Sequence, residues 1–232
     1  MNRNTLDIVR RVLLTSRMAV GMGASIVAAG ALRAHAQIPG APILQNAWAT
    51  PGLVGALNFG GGSDGSVYAA AASWSPASGR FQLSGGGGGQ TRSGKGSRGV
   101  YGVRVAIPFG AAQGSFGFAA FAGLGGGSGG TSAFPDSISS TTEVPIGVGI
   151  GWRHAIGANH GLSVYGTPAY VLFSGGSKNG SLFRGSLGSD VGITPSLGAT
   201  VGVEFGGTRP RGYGGPSGTI FGLGVSYAFG RR

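Results

Sequence analysis

Large apolar side chains alternate with small ones along most of the chain after residue 52. The pattern is clearest in residues 219–229, where every second residue is large and apolar. These large residues are Phe221, Leu223, Val225, Tyr227 and Phe229, and glycine, serine or alanine stands between them. A period of two is typical of a β-strand whose two faces meet different surroundings. The stretch is therefore predicted to be a strand with one large apolar face and one small face.

Eight further segments with this period precede it, beginning at Leu53. Each is about 9–14 residues long, close to the 9–11 residues with which a tilted strand crosses a bilayer. Bacterial single-chain membrane barrels have even strand numbers. A weak strand at Ser181–Leu187, inside a polar segment interpreted as a loop (Gly175–Asp190), would make ten. Losing the glycine-rich Arg80–Gly88 would make eight. The period shifts phase near Ala119 and Ala120, which predicts a bulge.

The small faces of these strands decide where the large faces point. Glycine and proline (52 and 11 of 232 residues) are abundant, whereas charged residues make up 10%. A water-facing sheet would carry lysine, glutamate and threonine, but a face of glycine, alanine and serine suits a narrow barrel interior. We therefore expect the large residues to face lipid, with aromatic side chains at the two interfaces. The lipid-facing and interfacial residues are Trp74, Phe109, Trp152, Phe205, Phe221, Tyr227 and Phe229.

The first 36 residues have the pattern of an export signal. Four arginines lead into an apolar run at residues 18–32, and Ala34-His35-Ala36 is a small-residue cleavage motif. We expect cleavage after Ala36, a lead-in at residues 37–52 and a barrel at residues 53–232. Arg10-Arg11 leaves open whether export is general or twin-arginine. The chain contains no cysteine, so disulfides do not stabilise the exported protein.

The chain resembles small bacterial outer-membrane β-barrel proteins over Leu53–Phe229. The ending Val225-Ser226-Tyr227-Ala228-Phe229 is similar to the aromatic C-terminal signal of that family, although Gly230-Arg231-Arg232 follows it. The resemblance implies an all-β, antiparallel, up-and-down transmembrane barrel of 8–10 strands in the outer membrane. It also implies contact with outer-membrane lipids and insertion by barrel-assembly machinery through the last strand. We expect a monomer.

Four charged residues alternate with outward-facing neighbours and are predicted to point into the barrel: Arg80, Arg104, Arg153 and Glu204. Because an unpaired buried charge is costly, we expect Glu204 to pair with one or more of the arginines. Such a network would plug a barrel of 8–10 strands, whose lumen is narrow. The alternative is a narrow pore that favours anions.

A second group of basic residues is predicted to lie in loops: Arg92, Lys95 and Arg98 in one, Lys178 and Arg184 in another. These loops could contact lipid phosphates, surface polysaccharide or another anionic partner. Nucleic acid is not expected, because the aromatic residues that would stack on bases lie on the strands.

Little in the sequence indicates catalysis. After residue 36 there are two histidines and five carboxylates, scattered without ligand or acid–base spacing, so neither a metal nor a cofactor is expected. Two G-x-S-x-G matches lack the strand-to-helix elbow of a serine nucleophile. Gly89–Gly96 resembles a phosphate-binding loop but has glycine in place of Ser/Thr and no following helix. We expect a non-enzymatic barrel with a structural or surface-interaction role; the alternatives are the pore and a secreted β-sandwich or adhesive protein.

Overall fold

A computed structural model describes residues 50–63, 65–92, 96–109, 115–128, 140–156, 160–175, 178–208 and 218–230. The predicted signal peptide, its cleavage at Ala36 and most of the lead-in lie outside these residues. So does Lys95 of the first basic loop.

Ten strands run through the described residues, and each has a period-two pattern in at least part of its length. They are β1 (Gly52–Gly62), β2 (Gly65–Ser75), β3 (Gln82–Arg92), β4 (Gly96–Phe109), β5 (Phe116–Gly127), β6 (Thr141–Ile156), β7 (His160–Gly175), β8 (Lys178–Gly192), β9 (Leu197–Gly206) and β10 (Ile220–Ala228). The strand expected at Ser181–Leu187 exists and is longer than predicted. The interpretation of Gly175–Asp190 as a long loop is wrong, since β8 occupies most of it.

The strands form one closed antiparallel barrel in which each strand pairs with its neighbours in sequence. The last strand closes the barrel against the first, with Val54 opposite Ala228 and Gly62 opposite Ile220. This confirms the predicted pairing of the first and last strands. A single closed sheet also excludes the β-sandwich alternative, which requires two sheets packed face to face.

Burial alternates along the strands as the sequence pattern predicts. In β10 the residues from Ile220 to Ala228 alternate between buried and exposed, and the exposed ones are the large apolar residues. The buried set therefore faces the barrel lumen and the exposed set faces outward. Strand β5 follows the same alternation with unbroken pairing to β4. The bulge predicted at Ala119 and Ala120 is absent from β5, because the phase shift there reflects Phe121, which turns inward and is 4% exposed.

The barrel has two ends with different connections. At the terminal end, where β1 begins at Gly52 and β10 ends at Ala228, the connections have six residues or fewer. At the other end, called the loop end, the β5–β6 and β9–β10 connections each have 13 residues, but the other three have two or three. The predicted pattern of short turns at one end and long loops at the other therefore holds for two of the five loop-end connections.

Candidate functional site in the barrel lumen

The lumen of the barrel is lined by polar side chains of several kinds. Seventeen buried residues of the described part are polar or charged, and they include Arg98, Arg104, Arg184, Glu143 and Asp190. Buried polar groups are costly unless they find partners inside the protein. Where those partners lie determines whether the lumen is filled or open.

Near the loop end, Arg184 of β8 forms an ion pair with Glu204 of β9 through its Nε. Its Nη1 donates to the carbonyl of Gly207 at 2.8 Å, and its Nη2 donates to the carbonyl of Gly218 at 3.1 Å. The two carbonyls stand at opposite ends of the β9–β10 connection. Arg184 therefore neutralises a lumen carboxylate and ties together both ends of that connection.

A second arginine fills the loop end beside β3 and β6. Arg98 donates through Nε to Oε1 of Gln90 at 2.9 Å and through Nη1 to Oγ1 of Thr141 at 2.8 Å. Glu143 lies on the same inward face as Thr141 and is 3% exposed. Three different strands are thus bridged by polar side chains inside the barrel.

Towards the terminal end, Asp190 of β8 collects hydroxyl donors from the strands on either side. Thr200 Oγ1 donates to Oδ1 of Asp190 at 2.5 Å, and Ser163 Oγ donates to Oδ2 at 3.3 Å. These hydrogen bonds satisfy both oxygens of the buried carboxylate. Asp190 is therefore held by hydroxyl groups of both neighbouring strands near this end of the lumen.

Half-way along β4, Arg104 has a different environment. Its guanidinium lies over the ring of inward-facing Phe121, with Cζ 4.1 Å from the ring centroid, which is a cation–π arrangement. The side chain is buried at 4% exposure, yet its Nε and Nη2 have no hydrogen-bond partner. The hydroxyl of Tyr165, on β7, is likewise buried and unpartnered.

Glycines make room for these large inward side chains. A Cβ built on Gly127 would lie 2.6 Å from Cζ of Arg98, and one built on Gly188 would lie 2.5 Å from Cζ of Tyr165. Non-bonded carbons normally stay about 3.5–4 Å apart. Much of the glycine content therefore serves packing: a glycine on one strand accepts a ring or guanidinium from the next.

Three of the four charged residues predicted to face the lumen lie on its inward side, and the fourth does not. Arg104 and Glu204 face the lumen, and half-buried Arg153 lies on its inward-facing side at the terminal end. Arg80 does not face the lumen: it is exposed in the β2–β3 turn, because the strand predicted to begin there begins at Gln82. The partner of Glu204 is Arg184, which had been predicted to lie in a loop.

The basic residues predicted to lie in loops do not all lie there. Arg98 and Arg184 are wrong as loop residues, since both are buried on strands and point inward. Arg92 and Lys178 are the last residue of β3 and the first of β8, so they stand at the loop end of the barrel. The sequence analysis missed Gln90, Thr141, Asp190 and Tyr165 as lumen residues; the inward parity of each along its own strand was the only available signal.

The outer face of the barrel is apolar on every strand. All the predicted lipid-facing residues lie on it or, for Phe229, directly beyond β10, and all but half-buried Trp152 are at least 41% exposed. Aromatic residues gather near the loop end: Phe59, Tyr68, Tyr101, Tyr170, Phe183, Phe205 and Phe221. Others gather near the terminal end: Trp74, Phe109, Phe116, Phe118, Trp152, Tyr227 and Phe229. Aliphatic side chains lie between the two aromatic sets.

Within the described residues, no group of three or more histidines, aspartates or glutamates is placed to hold a metal ion. No helix there is long and apolar enough to cross a membrane.

The fold defines the chain as a closed, ten-stranded, antiparallel up-and-down β-barrel. No protein-family model and no curated protein sequence matches it. Among solved structures it is similar to the N-terminal β-barrel domain of Pseudomonas aeruginosa OprF, at 13% identity and a TM-score of 0.36, over 77% of this chain and 98% of that one. It is also similar to the β domain of the Bordetella autotransporter BrkA, at 13% identity and a TM-score of 0.43, over 76% and 98%. The assignment of a closed barrel rests on this chain's own strand pairing.

Proposed function

We propose that this protein is a non-enzymatic outer-membrane β-barrel whose lumen is filled by its own side chains and whose role is structural or surface-interacting. The observation that carries the proposal is the apolar outer belt. Every one of the ten strands contributes at least one large apolar side chain to it.

The dimensions of the belt support a membrane environment. On β4 the outward residues run from Tyr101 to Phe109 through Val103 and Ile107, with an aromatic ring at each end. At about 3.3 Å per residue this is about 26 Å along the strand. For strands tilted by about 40° from the barrel axis, it is about 20 Å along that axis. Outer-membrane barrels carry an apolar band about 25 Å tall between aromatic girdles.

The area of the belt argues against water as its surroundings. A belt of ten strands about 4.8 Å apart, as long as the span of about 26 Å on β4, covers roughly 1,200 Å² of sheet, and its exposed large side chains are apolar. The largest apolar patch on a soluble monomer is about 300–600 Å². Because a closed barrel leaves no unpaired backbone edge, it is one of the two architectures that lipid tolerates.

The lumen contacts favour a plug over a channel. Arg98 and Arg184 each bridge strands at the loop end, and Asp190 is held from both sides at the terminal end. A barrel of about this strand number has little interior space beyond its side chains. We infer that the protein acts through its loop end and its outer face. The 13-residue connections and the basic residues Arg92, Lys95 and Lys178 are the candidate contacts for an anionic surface partner.

Membrane residence can be tested with single cysteines, because the chain contains none. We expect Ser63→Cys, in the loop-end turn, to react with a membrane-impermeant maleimide on intact cells that have an outer membrane. Ala77→Cys, in a terminal-end turn, should react only after that membrane is permeabilised. Both variants should fractionate with membranes and show heat-modifiable migration on gels. Recovery of the protein in the soluble periplasm or medium would refute the proposal.

A narrow anion-favouring pore is the second candidate, and the observation that favours it is the unpaired guanidinium of Arg104 in mid-lumen. Single-channel recording of the purified protein in planar bilayers decides between the two. The plug predicts no stable conductance. Anion-selective steps that change in Arg104→Glu would establish the pore instead.

A further inference from the structure

We propose that the middle of the lumen is a binding site for one small inorganic anion, such as chloride or nitrate, held by the guanidinium edge of Arg104. The inference concerns the inside of the barrel. It therefore stands or falls separately from the membrane location and from conduction.

The geometry of the guanidinium identifies the binding edge. Nε and Nη2 lie on the same side of the planar group and form the fork that grips an anion with two parallel N–H bonds. In Arg104 these two nitrogens are the unpartnered ones, while one face of the group is covered by the ring of Phe121 at 4.1 Å. The stacking fixes the plane of the guanidinium, and its unpartnered edge is buried inside the barrel.

Among the described residues, no carboxylate is a hydrogen-bonded counter-ion of the Arg104 Nε and Nη2. Of the three buried or half-buried carboxylates inside the described barrel, Glu204 pairs with Arg184, and Asp190 accepts from Thr200 and Ser163. Neither these carboxylates nor Glu143 reaches the Nε or Nη2 of Arg104. A buried cation without a partner is strongly unfavourable, and a bound anion would remove that cost.

The unpartnered polar groups of the lumen are mainly hydrogen-bond donors. Tyr165 is close enough to Arg104 for the two side chains to interact electrostatically, and its buried hydroxyl has no partner. Elsewhere in the lumen, on β1, β3, β2 and β10, the amide nitrogens of Asn58 and Gln82 and the hydroxyls of Ser73 and Ser226 are also buried and unpartnered. Amide N–H groups only donate, and hydroxyls can donate. This set suits an anion and offers a cation little.

The site is small because large side chains surround it. Phe121 covers one face of the guanidinium, and Tyr165 is 2% exposed, packed against Gly188. An ion of the size of chloride, bromide or nitrate suits such a site, whereas gluconate is too large. Gluconate therefore serves as the non-binding reference anion.

Chloride binding can be measured on the full-length protein, purified and folded in detergent, by ³⁵Cl line broadening. The titration replaces sodium gluconate with sodium chloride at constant ionic strength. We expect saturable broadening that bromide or nitrate reverses, in the wild type and in Arg80→Met, which changes an exposed arginine. The broadening should disappear in Arg104→Met. At a chloride concentration ten times its Kd, the unfolding equilibrium constant of the wild type should fall about elevenfold.

Two further results keep the test decisive. Tyr165→Phe keeps the ring but removes one donor, so its chloride Kd should rise about fivefold; this variant serves if Arg104→Met does not fold. In gluconate, folded Arg104→Met should be at least as stable as the wild type, since an apolar side chain replaces an unpaired buried charge. Absence of saturable broadening in the wild type, or equal broadening in Arg104→Met, would show that Arg104 does not hold an anion and would overturn the proposal.

Discussion

Glu204→Gln tests whether the ion pair with Arg184 stabilises the barrel. The substitution keeps the shape of the side chain and removes its charge, which leaves the Arg184 guanidinium, at 3% exposure, without its counter-ion. Removing one partner of a fully buried ion pair costs about 3–5 kcal/mol. Two features of this pair reduce that figure.

The first feature is that Glu204 is 15% exposed, so solvent already screens part of the attraction. The second is that Arg184 keeps the carbonyls of Gly207 and Gly218 as acceptors. We therefore expect a loss of about 2–3 kcal/mol in the free energy of unfolding. That corresponds to an unfolding equilibrium constant about 30 to 140 times larger. With a urea slope near 2.5 kcal/mol/M, the unfolding midpoint should fall by about 1 M.

Urea titration of protein folded in lipid vesicles, followed by the gel shift of the folded barrel, measures this change. The double variant Arg184→Met, Glu204→Gln should recover most of the loss, because it removes both charges. Arg80→Gln, at an exposed turn position, should change stability by less than about 0.5 kcal/mol. A single variant Glu204→Gln as stable as the wild type, or a double variant no better than the single, would refute the assignment of Arg184 as a buried partner.

Three other substitutions test the outer belt, the lumen glycines and the loop connection. Leu57→Arg, in mid-belt, should destabilise the barrel in bilayers by about 2–4 kcal/mol, whereas Ser66→Arg, near the loop end, should cost about 0–1 kcal/mol; equal costs would contradict the lipid-facing assignment. Gly188→Ala places a Cβ 2.5 Å from Cζ of Tyr165, so it should cost about 1–3 kcal/mol in urea unfolding, whereas Gly61→Ala, with its nearest atom at 4.0 Å, should be close to neutral. Arg184→Met removes the donor to Gly207 and Gly218, so trypsin should cleave faster after Arg211; a rate unchanged from the wild type would show that Arg184 does not restrain this connection.

The fold could be predicted largely from the period-two pattern, because parity along a strand separates lumen from exterior wherever the large residues are continuous. The pairing of residues near Leu53 with the last strand followed from closure alone. The length of β8 was underestimated because Ser181, Gly185 and Ser189 interrupt its row of outward-facing apolar residues. The hydrophobicity therefore falls there, although backbone pairing with β7 continues from Gly175 to Gly161.

The lumen contacts were harder to predict than the strands. Arg98 and Arg104 share the inward parity of β4, but the polar residues before Val100 read as a loop, so Arg98 was placed outside the barrel. The partner of a lumen charge depends on the stagger between strands: Glu204 stands opposite Ser186 of β8, two residues beyond Arg184. A single sequence shows which residues share a face of a strand, but it does not show how far neighbouring strands are shifted along one another. That shift determines which residues form each ion pair.

The glycine content and the charged lumen are two consequences of one constraint. A barrel interior of this width must be filled, and a few long side chains fill it: Arg98, Arg104, Phe121, Tyr165 and Arg184. Each long side chain needs space on the neighbouring wall, and glycine provides it, as Gly127 does for Arg98 and Gly188 for Tyr165. Because arginine is both long and charged, filling the lumen brings in cations, and two described networks supply oxygen atoms for Arg98 and Arg184. Arg104 fills its part of the lumen by stacking on Phe121, but no carboxylate in the described part of the chain pairs with its Nε or Nη2. Substituting Arg104 should therefore affect anion dependence more than packing, whereas substituting Gly188 should affect packing first and anion binding only through displacement of Tyr165.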